Sequence, residues 1–379
     1  MIKWKIPLYK ILVEKEDITT VSKVINRGMD WAVGPEIENF EKKLSNYVQS
    51  NYCLSFNSGT SALHAALLAL GIQKGNEVIS PAFTFIATSN SALMVNAIPK
   101  FVDIEEETYG LDPIKLENQI TKKTKVIIPV HYAGLPCKID QICKIAKQAK
   151  IPVIEDAAES IGATINKRVT GTFGDLSILS FAGNKVITTG EGGAIVTNSR
   201  KLYEKLKLIR SHGRIDKQNY FSSTMTPNYV TLGYNWRMSS MTAALGSSQL
   251  SRIEKLISLR RKNANYYFTH LNNLEDIKLP IEPEGYRHVY QLYSIRLPNK
   301  TMRNRLMIFL SKKGIMTKIF FSPIHLTKFY KGGIYPGTEN LEVTERVADQ
   351  ILSIPMFPGL KKEELGYICN SISEFIEKK

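Results

Sequence analysis

The chain has 379 residues, of which 43% are hydrophobic and 22% charged, and carries a formal charge of +15 at pH 7. That length buries a large core in two or three ordinary domains, and the composition is that of a globular protein rather than a disordered or fibrous one. No stretch reaches the roughly 18 uncharged apolar residues of a membrane span, and charges interrupt "MIKWKIPLYKILVEKED" where a signal peptide needs apolar residues; the basic residues are spread along the chain without a nucleic-acid module, so we expect a cytoplasmic protein that binds neither membrane nor nucleic acid.

The first 40 or so residues are expected to pack partly on a C-terminal unit. From about residue 45, short apolar runs alternate with helical patterns, the signature of β/α units around a mostly parallel sheet. The strands are "CLSF", "EVIS", "KFVDI", "KVIIPVH", "IPVIEDA", "LSILSF" and "GGAIVT". Binding residues should gather at their carboxyl ends, where ligands of open α/β sheets sit. A charged helical pattern over residues 251–271 closes the alternation, dividing the chain into a large unit, 1–250, and a smaller α/β unit, 251–379. In the latter, "VYQLYSIRL" predicts a strand, and "RNRLMIFLSKKG" and "KKEELGYICNSISEFIEKK" predict helices. Cys53, Cys137, Cys143 and Cys369 have no metal-ligand spacing, so no metal is expected and the thiols should be reduced and mostly buried.

Three strand ends carry chemistry. "FNSGTSALHAALLAL" breaks at Ser58-Gly59-Thr60 before a strongly helical run, which aims backbone N–H groups at a phosphate site; taken alone, the turn favours an ordinary Ser/Thr cap. "VIEDAAES" ends an apolar strand on Glu155 and Asp156, where carboxylates are costly unless paired. Alternation sends one of them into the crevice, and Asp156 is the better candidate. After "LSILSF", the loop "AGNK" delivers Lys185 to the same edge. A phosphate cradle, a buried carboxylate and a strand-end lysine are the parts that pyridoxal phosphate requires of a protein.

The blocks "GPEIENFE", "NSGTSALHAALLAL", "PAFTFIATSNSAL", "VHYAGLP", "IEDAAESIGA", "GTFGDLSILSFAGNKVITTGEGGAIVTN", "RSHGR", "GYNWRMSSMTAALGSSQL" and "LSIPMFPGL" resemble, in order and over nearly the whole chain, the DegT/DnrJ/EryC1/StrS family of sugar aminotransferases. The resemblance implies the aspartate-aminotransferase fold, fold type I of the pyridoxal-phosphate enzymes. It makes Lys185 the Schiff-base lysine and Asp156 the partner of the pyridine nitrogen. Ser58, Gly59, Thr60 and Ser180 match phosphate contacts, and Phe85 the aromatic residue that stacks on the cofactor ring. Asn235 matches an asparagine that reaches the other subunit's phosphate, so a homodimer with shared active sites is implied.

Glu159 stands where many members have glutamine, whose amide donates to the cofactor's phenolic oxygen; an ionised glutamate has no donor. This block and "GNKVITTGEGG" resemble members that act at C4 of a sugar, such as perosamine synthase. His131, His212 and His325 fall in matching blocks and are candidates to touch substrate, His325 foremost, although a lone histidine is more often a structural hydrogen-bonder. The implied reaction takes an amino group from L-glutamate to a nucleotide-linked keto sugar, giving an amino sugar nucleotide for cell-surface polysaccharide. A cyclitol or a 3-keto sugar nucleotide is the alternative acceptor, and a cofactor-binding regulator the alternative class. The family's dehydrating branch has histidine at the lysine position, which Lys185 argues against.

Overall fold

The computed structural model describes residues 4–215, 224, 226–334 and 340–378. Short, largely apolar runs, mostly buried, form the strands of one sheet: β1 (Tyr52–Phe56), β2 (Glu77–Pro81), β3 (Ile98–Val102), β4 (Thr124–Ile127), β5 (Ile154–Asp156), β6 (Leu176–Ser180) and β7 (Gly193–Thr197). A four-stranded ladder, β1-β7-β6-β5, and a three-stranded ladder, β3-β2-β4, are joined by bridges from Ile127 to Val153 and from Val130 to Asp156. Every pairing is parallel except those of β7, which runs against both β1 and β6. The mostly parallel sheet expected of the sequence is therefore present. The run "KVIIPVH" is a shorter strand than it reads, because Pro129 has no N–H to give a ladder; its carbonyl still accepts the Asp156 N–H (2.9 Å), and His131 N–H donates to the Asp156 carbonyl (3.1 Å).

Helices cover the sheet. The first two, α1 (Lys15–Arg27) and α2 (Pro35–Val48), precede it, α3 (Gly59–Ala69) follows β1, and α4 (Ile86–Met94) follows β2. Beyond β7 come α5 (Ser240–Leu250) and the 19-residue α6 (Ile253–Leu271). The C-terminal part pairs β8 (Tyr293–Arg296) antiparallel with β9 (Ile351–Ile354) and adds α7 (Lys300–Lys312) and α8 (Lys362–Glu377). Its core of Tyr267, Tyr293, Ile295, Leu306, Leu352 and Ile368 is separate from those around the sheet. At about 1.5–3 kcal/mol per fully buried large apolar side chain, each core is a substantial cooperative unit.

The chain's first residues join that C-terminal core. Ile6 is buried in it, and the N–H groups of Lys5 and Ile6 reach the Gly314 carbonyl (2.9 and 3.0 Å). The helices α1 and α2 instead pack on α5. For α1 the contact is fixed by Asp17, a buried acid that needs partners and finds them in Ser248 Oγ (2.7 Å), Gln249 Nε2 (3.0 Å) and Arg252 (2.9 Å). Helix α6 serves both parts: Ile253, Leu256 and Ile257 pack with Phe40 and Phe181, while Ala264, Tyr267 and Leu271 belong to the C-terminal core. Among the described residues no helix is long and apolar enough to cross a membrane.

Candidate active site

Strand alternation separates the two acids of β5. Glu155 is fully buried. Its Oε1 accepts the N–H groups of Phe173 and Gly174 (both 2.7 Å), and its Oε2 accepts Gly171 N–H (2.8 Å) and His131 Nε2 (3.1 Å). His131 Nδ1 accepts Cys137 N–H (3.1 Å), so the proton sits on Nε2 and points at Glu155. Both ring nitrogens are spent and the side chain is enclosed. His131 thus braces the loop beneath the site, with neither ring nitrogen turned to a ligand.

Asp156 faces the other way. It is 5% exposed, takes the Thr88 hydroxyl on Oδ2 (2.7 Å) and Ala158 N–H on Oδ1 (3.2 Å). Burial pushes its carboxyl above the usual range, opposed by those two hydrogen bonds and the charge of Lys185. An acid in this setting is poised for a positively charged partner.

Lys185 reaches the site on the segment that links β6 to β7. The turn is closed by Lys185 N–H to the Ala182 carbonyl (3.0 Å), and its base by Phe181 N–H to the Gly192 carbonyl and Thr189 N–H to the Phe181 carbonyl (both 2.9 Å). Phe181 is fully buried, edge-on to Phe40 at 5.4 Å, and Val186 and Ile187 are buried on the far side of the lysine. From the C-terminal part, Gln291 Nε2 donates to the Asn184 carbonyl (2.9 Å). The lysine's Nζ lies 3.2 Å from Glu159 Oε1, both side chains nearly covered. The other oxygen, Oε2, accepts Ala133 N–H (2.9 Å). The glutamate that cannot donate is here an acceptor twice over.

The turn before α3 stands beside that segment. Ser58 caps the helix through Oγ, which accepts Ser61 N–H (3.1 Å). The Gly59 and Thr60 N–H groups remain in the first turn, where a helix has no internal partner for them. A Cβ at Gly59 would meet Ser180 Cβ at 3.2 Å, so the predicted phosphate contacts at the start of α3 and the end of β6 are side by side. A Cβ at Gly193 would lie 2.5 Å from the Ser58 carbonyl carbon and oxygen. Only glycine allows the start of β7 to pass so close.

The remaining candidates are dispersed. Phe85, the residue before α4, is 60% exposed and 6.3 Å from the Phe321 ring, whereas Phe83 is fully buried. That exposure fits a ring free to stack on a ligand and does not fit a core residue. Asn235 is exposed, bridges Ser211 through its backbone, and precedes Trp236, whose carbonyl accepts Asn57 N–H (2.9 Å). His212 is exposed at a φ of 60°, its pKa lowered by burial and by the nearby Arg237 and Arg214. His325 pairs with Glu345 (3.0 Å), and its ring lies 6.4 Å from that of Phe101. Thr88, Gln291 and Ala133 have no place in the sequence reading, since a backbone N–H and side chains that act through other residues leave no motif.

Pyridoxal phosphate fits this set. An enclosed lysine, a buried acid, a helix end lined by small residues and an exposed phenylalanine are what its aldehyde, ring nitrogen, phosphate and ring face require.

Comparison with known proteins agrees. Residues 12–373 match the DegT/DnrJ/EryC1/StrS aminotransferase family. The chain is 35% identical to the GDP-perosamine synthase of Escherichia coli O157:H7, with 99% of each chain covered. It is 34% identical to the UDP-N-acetyl-3-dehydro-alpha-D-glucosamine 3-aminotransferase of Acidithiobacillus ferrooxidans, over 94% of this chain and 93% of the relative. The Streptococcus pneumoniae protein Spr1654, solved in a PLP-form, superposes with a TM-score of 0.88 at 27% identity, over 99% of this chain and 98% of that one.

Proposed function

The chain belongs to the DegT/DnrJ/EryC1/StrS aminotransferase family and is a sugar aminotransferase that uses pyridoxal phosphate; on that premise we propose that it carries the amino group of L-glutamate to C4 of a nucleotide-linked 4-keto-6-deoxy sugar, as a homodimer in the cytoplasm. The observation that carries the reading is the Lys185–Glu159 pair at 3.2 Å, on a segment fixed at both ends beside Asp156 and the α3 turn.

The cofactor, when bound, supplies an electrophilic carbon and an electron sink. Lys185 is the residue that would hold it, and its freed Nζ would take and return the proton of the substrate carbon. Asp156 would keep a proton on the ring nitrogen through charge. Ser58, Gly59, Thr60 and Ser180 would bind the phosphate, with Asn235 contributed across a dimer, and Phe85 would cover one ring face. Glu159 keeps the Lys185 ammonium beside the reacting carbon until that proton is needed.

Relatives that act at C3 and that make perosamine lie at almost equal identity, and Glu159 in its block favours the C4 branch. The test is a glutamate-dependent assay with a panel of 4-keto and 3-keto nucleotide sugars and a ketone cyclitol, the aminated carbon read by NMR. Amination of the 4-keto-6-deoxy substrates supports the proposal. Turnover confined to 3-keto sugars overturns the carbon assignment, and turnover confined to the cyclitol overturns the substrate class.

A further inference from the structure

Asp156 does not stand alone in its buried site. Its Oδ2 is 2.7 Å from Thr88 Oγ1, and Thr88 Oγ1 is 2.9 Å from Thr84 Oγ1. Thr84 is 3% exposed and Thr88 1%. Chemistry fixes the direction of this chain. An ionised carboxylate only accepts, so Thr88 donates its single proton to Asp156. With that proton spent, the Thr84–Thr88 contact runs from Thr84 to Thr88. The two hydroxyls therefore form a one-way relay ending on one carboxylate oxygen, and the other oxygen takes the Ala158 N–H.

Thr88 also belongs to the first turn of α4, where its N–H donates to the Phe85 carbonyl (3.2 Å). Phe85 projects an exposed ring from that turn. One residue thus ties together the two groups that must address a flat ring from its edge and from its face.

We propose that Thr88, oriented by Thr84, is the positioning residue that aims and keeps ionised the Asp156 carboxylate toward the cofactor's ring nitrogen. The inference rests on Asp156 being the partner of that nitrogen. The ionisable groups facing Asp156 are Lys185, whose charge favours the carboxylate, and Glu159, whose charge opposes it. Against the cost of burial, the Thr88 hydroxyl is the shortest hydrogen bond that favours the ionised form.

Hydrogen bonds to charged groups are worth enough that losing one costs roughly 10- to 100-fold in an equilibrium constant. The experiment strips the full chain of cofactor and titrates pyridoxal phosphate back, following quenching of intrinsic fluorescence from pH 5 to 9. Thr88→Val is expected to weaken binding by roughly 10- to 100-fold and to move the lower pH limit of tight binding upward, because Asp156 without its donor protonates more readily. Thr88→Ser restores both, since the hydroxyl and not the methyl is the operative group. Thr84→Val shifts both in the same direction by less. Asp156→Ala is the reference.

Affinity and pH limit in Thr88→Val equal to those of the wild type, with Asp156→Ala impaired, overturn the relay while leaving Asp156 in its role. A Thr88→Ser variant as impaired as Thr88→Val assigns the effect to packing and also overturns it. Binding undisturbed in Asp156→Ala overturns the reading of Asp156 and the relay with it.

Discussion

Gly193→Ala tests whether the α3 turn is held in place by the close passage of β7. The added methyl carbon would lie 2.5 Å from the carbonyl carbon and oxygen of Ser58 and 2.6 Å from Gly59 N. Nonbonded carbons rest about 3.5–4.0 Å apart, so the turn must retreat by roughly 1 Å, and no rotamer offers another way because every clashing atom is backbone. Overpacking of this kind costs about 1–3 kcal/mol, or roughly 5- to 150-fold if all of it falls on the turn that binds phosphate. We expect the cofactor-stripped variant to bind pyridoxal phosphate some 10- to 100-fold more weakly by fluorescence titration. Gly190→Ala is the control. Gly190 has a φ of 83° but nothing within 4 Å of an added Cβ, so it costs about 1–2 kcal/mol of backbone strain without displacing the turn. Wild-type affinity in Gly193→Ala, or an equal loss in Gly190→Ala, refutes the reasoning.

Three further outcomes follow from the same contacts. Lys185→Ala should fold and lose the visible absorption that the cofactor acquires when bound to a lysine; an unchanged spectrum removes Lys185 from its role. Burial would raise the carboxyl of Asp17, but Arg252, Ser248 and the Glu14 N–H together hold it below its ordinary value. Asp17→Asn leaves Arg252 without its acid and should cost about 3–5 kcal/mol in urea unfolding, a loss under 1 kcal/mol counting against the pair. His288 is enclosed, and burial pulls its pKa down to about 3. The unfolded chain then binds a proton that the fold refuses, so this contribution is intact above pH 6.5 and declines by about 1.4 kcal/mol per pH unit from there toward pH 3. His288→Gln should flatten the fall of the urea midpoint between pH 7.5 and 5, and parallel slopes in the two proteins contradict it.

The sheet was legible because parallel strands buried on both faces read as unbroken apolar runs, and the site because such strands end on their polar residues. Lys185, Asp156 and the Ser58–Thr60 turn each stand at such an end. Alternation required that only one of Glu155 and Asp156 face the crevice, and the family resemblance chose Asp156. What Glu155 does instead was not legible, since its partners are backbone N–H groups at Gly171, Phe173 and Gly174 that any sequence would offer. The partners of His131 were hidden for the same reason: its ring joins Glu155 to the Cys137 N–H inside a tight loop. The placement of α1 on α5 turns on Asp17 meeting Ser248 and Gln249, more than two hundred residues away, a pairing that no local pattern announces.

The reversal of a single strand, β7, decides how the lysine is carried. In an all-parallel sheet the chain leaving β6 would have to cross behind the sheet through a helix before re-entering at the opposite edge. Because β7 runs the other way, its first residue, Gly193, pairs with the last residue of β6, Ser180. Departure and return thus share one doorway, and all that lies between them stays on the side where the chemistry is. Lys185 rides on a closed bight of chain rather than on a connection with distant ends, and the far parts of the fold touch that bight at single points, Gln291 on Asn184 and Phe40 on Phe181.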